Sequence, residues 1–354
     1  MRDTVILVVD DEAPNRDLLA QSLGAEGYTV IAVESARAAL ETLAHHWPDL
    51  LLVDVMMPEM DGIELCRRLK GQPATRLIPF VLITALNASA DRIRGIEAGA
   101  DDFLSKPVPL AELRARLRSL LRLKRYTDQL EHAEAVLYSL ALGVEAKDPA
   151  LEGHCARLAH YGTALGRALG LDAGALEALR RGGVLHDVGK IGVPDAILFK
   201  PGPLTPDEWK VMREHPVIGE RICQPLKSLQ AVLPIIRHHH ERWNGSGYPD
   251  GLAGQAIPLT ARILQVADVF DALTTARPYR EPLAPARAFE LLRTEAAQGF
   301  WDGELVETFA QLWATGALDA DRVPALAAPA AGVLGTGSPP QGWRGKFMDL
   351  AQEM

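Results

Sequence analysis

Short apolar runs alternate with helical patterns over residues 5–122, and this alternation constrains the fold more than any other feature of the chain. Helical patterns such as Arg16–Leu23, Ala36–Leu43 and Ile63–Leu69 separate the runs. The apolar runs are Val5–Val9, Thr29–Val33, Leu50–Val53 and Phe80–Thr84, with a weaker one near Phe103–Leu104. Near-continuous apolar strands between helices are typical of a parallel sheet with helices on both faces. The pattern predicts a doubly wound α/β domain with five strands.

From Leu110 the pattern becomes helical and stays so to about Val144. Apolar residues recur there at two interleaved seven-residue spacings, at Leu123, Leu130, Leu137 and Val144 and at Tyr126, Ala133 and Leu140. Such a heptad seam suits a dimeric connector helix and therefore a homodimer. A single helix that packs on its own domain is the alternative.

Residues 145–320 carry no β patterning and are predicted to form an all-α domain. The sequence predicts the N-terminus of one helix, because Thr205 and Glu208 match a capping box with Pro206 at the first helical position. Beyond about residue 322 the chain is rich in Ala, Pro and Gly. We therefore expect one domain over residues 1–122, a connector helix over 123–136, a second domain over 137–320 and a flexible tail over 321–354.

Composition excludes several classes of protein. The formal net charge of −9 over 354 residues argues against a broad nucleic-acid or anionic-membrane surface. The three cysteines, Cys66, Cys155 and Cys223, fit neither a zinc spacing nor a disulfide framework. No signal peptide pattern opens the chain, and no apolar run approaches the roughly 20 residues that span a bilayer. We expect a soluble, cytoplasmic protein with no nucleic-acid or membrane partner.

Charged and hydroxyl side chains follow the predicted strands. Asp10 and Asp11 follow the first strand, Asp54 ends the third, Thr84 ends the fourth, and Lys106 follows the fifth. Parallel strands bring these positions to one edge of the sheet. Clustered carboxylates favour a hard divalent cation, and a carboxylate beside that cation can accept a phosphoryl group. The alternative, in which each Asp caps its own turn, would not explain five groups in this order.

These residues lie in VVDDE, VDVMMPEMDG, LITA and DDFLSKP, which resemble a response-regulator receiver domain with its flavodoxin-like fold. The resemblance implies that a sensor histidine kinase phosphorylates Asp54. It also implies magnesium ligation by Asp11, Asp54 and the backbone carbonyl of Met56, with Asp10 nearby. Phe103 matches the aromatic switch residue of such domains, and Thr84 matches its partner.

A second constellation lies in the helical domain, where apolar stripes point several His and Asp side chains inward. Buried imidazoles and carboxylates without partners would cost several kcal/mol, and metal coordination removes that cost. Seven ligands exceed the needs of one tetrahedral ion, so we expect two ions with Asp187 as the bridge. Nitrogen and oxygen ligands suit iron, manganese, zinc or nickel. The predicted ligands are His154, His186, Asp187, His215, His239, His240 and Asp268.

Three segments resemble the HD-GYP family of HD-superfamily phosphohydrolases over roughly Leu137–Phe309. The segments are HDVGKIGVPDAILFKPGPL, HHHERWNGSGYPDGL and ARILQVADVFDALTTARPYR. The family's ligands match the seven residues above, and its phosphate contacts match Lys190, Arg277 and Arg280. The resemblance implies catalytic roles for Asp187 and Lys190 and a substrate contact for Tyr248. Ala150 stands where some members have a Glu that binds a third metal, so two metals are expected.

The resemblance implies a phosphodiesterase that hydrolyses cyclic di-GMP to pGpG, to GMP or to both, under the control of Asp54. It also implies contacts with diguanylate cyclases of the GGDEF type. One rival is a hydrolase of another cyclic dinucleotide. A second is a non-catalytic adaptor, whose expected mark is a lost metal ligand, and none is lost here. A DNA-binding regulator is disfavoured, because no recognition-helix module follows the first domain.

Overall fold

The computed structural model describes residues 4–85, 89–146, 153–276 and 281–318. The chain divides into two compact units, and the break between them follows Ala133. The elements of the first unit are β1 (Val5–Val9), α1 (Ala13–Gly24), β2 (Thr29–Val33), α2 (Ala36–Leu43), β3 (Leu50–Asp54), α3 (Gly62–Lys70), β4 (Phe80–Ala85), α4 (Ser89–Glu97), β5 (Asp102–Lys106) and the start of α5 (Leu110–Ala146).

The five strands form one parallel sheet in the order β2-β1-β3-β4-β5. Side chains alternate between its faces, since Leu7 packs with α2 and α3 while Ile6 packs with α1 and α5. Both faces are thus covered by helices, and β1, β3 and β4 are buried along most of their length. The predicted doubly wound five-stranded sheet and the all-α domain that follows are confirmed.

Helix α5 is 37 residues long and contains the heptad pattern. Its first part packs on the sheet through Leu113, Leu117 and Leu121. In the middle, Leu123, Tyr126 and Leu130 are 62%, 57% and 50% exposed, respectively. Further along, Leu137 packs against the core of the second unit. Leu140, the next member of the seam, is 40% exposed. Exposed and packed residues therefore both occur along the seam, and dimerisation stays a prediction.

The second unit is built from helices. Its elements are the end of α5, then α6 (His154–Ala168), α7 (Ala173–Leu185), α8 (Asp195–Leu198), α9 (Pro206–Met212), α10 (His215–Cys223), α11 (Leu233–His238), α12 (Leu259–Thr274), α13 (Pro285–Ala297) and α14 (Gly303–Ala314). Short 3-10 segments lie at Val188–Gly192, Lys227–Leu229 and Gly254–Ala256.

Helix α12 occupies the centre of this unit and packs against α6, α7, α11, α13 and α14. The ring of Phe270 on this helix contacts Tyr161, Phe289 and Phe309, with centroids 6.0, 4.7 and 5.2 Å away. A rigid aromatic core thus fixes the helix that carries Asp268.

The predicted capping box at the start of α9 is confirmed. Thr205 accepts from the backbone N–H of Glu208, and the Glu208 carboxylate accepts from the backbone N–H of Thr205.

Among the described helices, none combines the length and apolar character that a membrane-spanning segment requires. The predicted tail over residues 321–354 lies outside the described residues.

Candidate active site

Helix ends of the second unit carry most of the predicted ligands. His154 begins α6, His186 follows the last residue of α7, and His215 begins α10. His239 and His240 follow α11. The remaining ligands are Asp187, which follows His186, and Asp268, which lies inside α12. Helix ends suit such a site because side chains there converge without breaking helical hydrogen bonds.

Two glycines allow these helices to approach one another. A Cβ atom at Gly183 would lie 2.5 Å from the backbone nitrogen of Ala159, so no larger residue fits between α7 and α6. A Cβ atom at Gly189 would lie 1.9 Å from the carbonyl oxygen of His215. Both contacts are far shorter than any side chain tolerates. The close packing brings His154 next to His186, and Asp187 next to His215.

The seven predicted ligands gather into two groups that meet at Asp187. One group joins Asp187, His215, His239 and His240, and the other joins His154, His186 and Asp268, in each case with ligand atoms within 4.8 Å of one another. Oδ1 of Asp187 lies 3.2 Å from Nε2 of His215. Oδ2 of Asp187 lies 3.3 Å from Nε2 of His186. The carboxylate of Asp187 therefore faces both groups, as a bridging ligand would.

Four of the histidines are oriented by hydrogen bonds at Nδ1. The Nδ1 atoms of His186, His215 and His239 lie 3.2, 2.8 and 2.8 Å from the backbone carbonyl oxygens of Gly183, Met212 and Ile236, respectively. Nδ1 of His154 lies 2.7 Å from Oδ2 of Asp271. Each carbonyl or carboxylate requires a proton on Nδ1, so the lone pair lies on Nε2 and points into the site. This tautomer is the one that a metal ion needs.

Buried polar atoms without hydrogen bonds test whether these residues fit metal ions. Among the described residues, Nε2 of His186 and Oδ1 of Asp187 are buried and make no hydrogen bond. Leaving such atoms unsatisfied is costly, and a coordinated cation satisfies both. Imidazole and carboxylate donors also match divalent transition metals. The residues present therefore fit a pair of divalent cations.

The pKa shifts of three ligands agree with this fit, whereas that of His186 runs the other way: burial acts to lower the pKa of His186, but the neighbouring Asp187 carboxylate outweighs it and raises that pKa. Burial lowers the pKa of His239 to about 4 and that of His240 well below its usual range. Burial opposes ionisation of Asp187, yet the Lys190 ammonium and the His186 ring hold the pKa of this carboxyl well below its usual range. Neutral imidazoles and an ionised carboxylate are the forms that coordinate metals.

Lys190 lies beside the bridge, with its Nζ atom 2.5 Å from Oδ2 of Asp187. Tyr248 stacks on His240 with ring centroids 4.8 Å apart. Both residues line a cavity of about 650 Å³ that opens onto the ligands. Its other walls are largely apolar, and include Val144, Phe199, Trp209, Met212, Val269 and Leu273. Arg277, Arg280 and Ala150 lie outside the described residues.

Sequence reasoning missed Asp271, which is buried next to His154. Arg157 donates to this carboxylate from Nε at 2.5 Å and from a terminal nitrogen at 3.1 Å. Burial acts to raise the pKa of Asp271, but His154 and Arg157 outweigh it and lower that pKa. The signal that could have found Asp271 is its spacing three residues after Asp268, which places both on neighbouring faces of α12.

Glu241 was also missed, although it follows the paired histidines directly. Its buried carboxylate accepts from the backbone N–H groups of Asp250 and Leu252 at 2.8 and 3.1 Å. Arg237 clamps the side chain of Asp250 with two bonds of 2.7 and 2.8 Å. These contacts fix the loop that carries Tyr248 and so hold its ring against His240, one of the predicted ligands.

The acidic pocket of the first unit forms separately, at the carboxyl ends of β1, β3 and β5. Asp10, Asp11 and Asp54 place carboxylate oxygens within 4.8 Å of one another. Nζ of Lys106 lies 2.8 Å from Oδ2 of Asp54 and 3.3 Å from Oδ2 of Asp10. Burial raises the pKa of Asp54, although the Lys106 ammonium acts to lower it. Clustered carboxylates around a buried Asp fit a magnesium ion.

The remaining receiver residues lie where the sheet register puts them. Thr84 is buried near the end of β4 and pairs with Ser105 of β5. Phe103 pairs with Leu82 and packs into the apolar cluster under α2 and α3. The side chain of Met56 is exposed. The backbone N–H of Met56 donates to Asp54 and acts to lower the pKa of that carboxyl.

Comparison with known proteins agrees with both resemblances. The response regulator receiver domain family matches residues 6–118, and the HD domain family matches residues 140–305. A probable cyclic di-GMP phosphodiesterase of Vibrio cholerae is 36% identical over 318 residues, which cover 80% of this chain and 72% of that protein. The cyclic di-GMP phosphodiesterase response regulator RpfG of Xanthomonas campestris is 39% identical over 299 residues, covering 78% of this chain and 79% of that protein.

A shorter match involves a different cyclic dinucleotide. The 3'3'-cGAMP-specific phosphodiesterase 2 of Vibrio cholerae is 37% identical over 188 residues, which cover 52% of this chain and 36% of that protein. Each of the two longer matches covers more than three quarters of this chain and therefore includes parts of both units. The chain therefore belongs to the family of response regulators in which a receiver domain precedes an HD domain of the cyclic di-GMP phosphodiesterase type.

Proposed function

We propose that this protein hydrolyses cyclic di-GMP at the histidine site, under the control of phosphorylation at Asp54. The observation that carries the proposal is the arrangement of Asp187 between two ligand groups, with Lys190 at its side. Two adjacent cation sites and one neighbouring ammonium suit the cleavage of a phosphodiester, since negative charge accumulates on the phosphoryl oxygens. The product is pGpG, GMP or both.

The seven ligands would hold two divalent cations, which are iron, manganese, zinc or nickel ions. When bound, such a pair supplies Lewis acidity toward the phosphate and a nucleophile from water at neutral pH. Asp187 holds the two sites together, and its low pKa keeps it ionised during the reaction. Lys190 directs its ammonium toward the same region and offsets charge on the phosphoryl oxygens.

Further substrate contacts belong to the same proposal. Arg277 and Arg280, which lie outside the described residues, contact the substrate phosphates. Tyr248 supports a guanine base, since its ring is fixed against His240 and lines the cavity. Apolar walls and a few fixed polar groups are typical of small-molecule sites.

A hydrolase of 3'3'-cGAMP is the second candidate. The match to the cGAMP-specific enzyme favours this candidate, with 37% identity over about half of this chain. The longer matches favour cyclic di-GMP, because they cover about four fifths of the chain and include the receiver unit. A non-catalytic adaptor is disfavoured, since each of the seven ligand positions keeps a ligating side chain.

Control by the receiver is the other half of the proposal. A sensor histidine kinase phosphorylates Asp54, with magnesium ligation by Asp11, Asp54 and the Met56 carbonyl. Lys106, whose ammonium contacts Asp54, stabilises the oxygens of the transferred phosphoryl group. Thr84 and Phe103 respond to the phosphorylation of Asp54. We assign residues 1–122 to the receiver, 123–136 to the connector and 137–320 to the hydrolase.

Two protein partners belong to the same proposal. The exposed side chains of Leu123, Tyr126 and Leu130 support a homodimer through the connector helix. The loop at Gly247–Pro249, held by Glu241, is the surface that we propose for diguanylate cyclases of the GGDEF type.

A substrate panel tests the proposed activity. Protein of measured metal content is incubated with cyclic di-GMP, 3'3'-cGAMP and cyclic di-AMP at equal concentrations, and the products are separated by chromatography. We expect cyclic di-GMP to have the highest kcat/KM. A higher value for 3'3'-cGAMP would favour the second candidate, and no turnover at two metals per chain would favour an adaptor.

A further inference from the structure

A second cavity, of about 490 Å³, also adjoins the predicted metal ligands and shares part of its lining with the first. His239, His240 and Asp268 form the wall that it shares with the histidine site. Tyr248 and Trp209 line both cavities. A phosphodiester held at the ligands has one nucleoside on either side of the phosphorus, so a cavity on each side is expected for the two halves of a dinucleotide.

The near end of the second cavity presents aromatic and cationic surfaces. The guanidinium of Arg213 lies over the rings of Tyr248 and Trp209, at 5.3 and 5.7 Å from their centroids. Tyr248 is stacked in turn on His240. Flat π surfaces and a guanidinium plane are the groups on which nucleobases stack.

The far end holds a fixed carboxylate. The indole N–H of Trp301 donates to Oε2 of Glu295 at 2.7 Å. Arg242 lies over the rings of Phe300 and Trp301, at 4.7 and 5.9 Å from their centroids. Because Trp301 bonds one oxygen, the orientation of the Glu295 carboxylate is set while its Oε1 atom is left for a ligand.

The other acidic residues that line the second cavity already have partners. Both oxygens of Glu241 accept backbone N–H groups, from Asp250 and Leu252. Asp268 belongs to the metal ligands and lies 3.6 Å from His154. Among the described residues that line this cavity, Glu295 is thus the acidic residue that can accept hydrogen bonds from a ligand.

We propose that the second cavity binds a guanine base of the substrate, with Glu295 accepting from the N1–H and N2–H groups and with the guanidinium of Arg213, which is backed by the Tyr248 ring, providing the stacking surface. The inference rests on the proposed function and adds the group that selects the base. Guanine offers adjacent donors on its Watson–Crick edge, whereas adenine offers an acceptor and a single amino group there. A fixed carboxylate therefore favours guanine, because adenine would set its ring nitrogen against the carboxylate.

The test compares Glu295→Gln with Glu290→Gln, an exposed residue on the same helix whose partner is Arg287. The measured quantities are kcat and KM for cyclic di-GMP, the inhibition constant of cyclic di-AMP against that reaction, and the metal content. Gln keeps the size of Glu and an oxygen for the Trp301 bond, so the fold and the metals should be retained. We expect KM for cyclic di-GMP to rise at least about fivefold in Glu295→Gln.

In the same variant, kcat and the inhibition constant of cyclic di-AMP should stay within about twofold of wild type, and Glu290→Gln should match wild type throughout. Equal weakening of both dinucleotides would contradict base selection, and an unchanged KM would remove guanine from the second cavity. If the wild-type protein, with its metals in place, hydrolyses no cyclic di-GMP, the proposed function itself fails, and the guanine assignment falls with it. Wild-type turnover thus separates the two failures.

Discussion

Oδ2 of Asp271 lies 2.7 Å from Nδ1 of His154, and Nε2 of the same ring faces Asp268. The ring is thus held between a carboxylate that fixes its tautomer and a ligand of the proposed metal group. Arg157 balances the buried charge through two bonds to Asp271. A carboxylate behind a ligating histidine fixes the ring and raises its basicity, so we expect Asp271 to act on the proposed metal through His154.

Asp271→Asn should weaken the metal bound by the His154 group by roughly 10- to 100-fold. The amide keeps one hydrogen bond to His154 but removes the negative charge that raises the basicity of the ring. The measurement is metal content after dialysis against graded chelator, with Asp207→Asn, an exposed residue of α9, as the control. Retention of two metals at every chelator concentration would contradict this role for Asp271.

Local hydrophobic patterns predict most of the fold, because they indicate directly which residues are buried. The strand Val5–Val9 is observed as predicted, since five consecutive apolar residues suit a strand covered on both faces. The weak run at Phe103–Leu104 extends to Asp102–Lys106, because pairing with β4 overrides low local propensity. The exposed and packed parts of the α5 seam differ because tertiary contacts decide which residues are covered.

The histidine site was predictable as far as it depends on spacing along helices. His154 precedes an apolar stripe on the same helix face and His186 follows another, so their inward direction could be predicted from the sequence. The spacing from Asp268 marks Asp271 as a candidate, but the roles of Asp271 and Glu241 could not be assigned from spacing, because they depend on contacts that only the folded chain makes. Asp271 is 117 residues from His154, and Glu241 binds backbone groups 9 and 11 residues ahead.

Glu241→Gln should loosen the loop that carries Tyr248. The Gln amide has only one acceptor oxygen for the two backbone N–H groups, so one buried donor is left unsatisfied at a cost of about 1–3 kcal/mol. Hydrogen exchange at the amides of Asp250 and Leu252 measures this effect, and it should accelerate roughly 5- to 150-fold if these amides exchange by local opening. Glu214→Gln, on an exposed residue, is the control. Unchanged exchange at both amides would show that the loop is held by other contacts.

Asp54→Ala should leave basal hydrolysis measurable and abolish any response to acetyl phosphate or beryllium fluoride. Alanine removes the only proposed phosphoacceptor, while the histidine site keeps all of its ligands. The assay compares rates with and without each phosphoryl donor, and Asp61→Ala, which caps α3, is the control for acidic residues near the pocket. A variant that still responds would rule out Asp54 as the input.

Lys190→Ala and Arg277→Ala should keep two metals per chain and lose most hydrolysis of cyclic di-GMP. Neither side chain coordinates a metal while charged. Each is expected to contribute roughly 2–4 kcal/mol to the transition state, which corresponds to a loss of about 30- to 900-fold in kcat. Metal content and kcat are measured on the same samples. Loss of metal would make these residues structural, and an unchanged kcat would place the substrate phosphate elsewhere.

The most direct test of the central claim is one paired measurement on wild-type protein and Asp187→Ala, combining metal content with turnover of cyclic di-GMP. The account predicts about two metals per chain and hydrolysis in the wild type. In Asp187→Ala, where the carboxylate between the two groups is gone, it predicts loss of bound metal and no detectable turnover. Full activity with unchanged metal content in Asp187→Ala would contradict the dinuclear centre and the mechanism built on it.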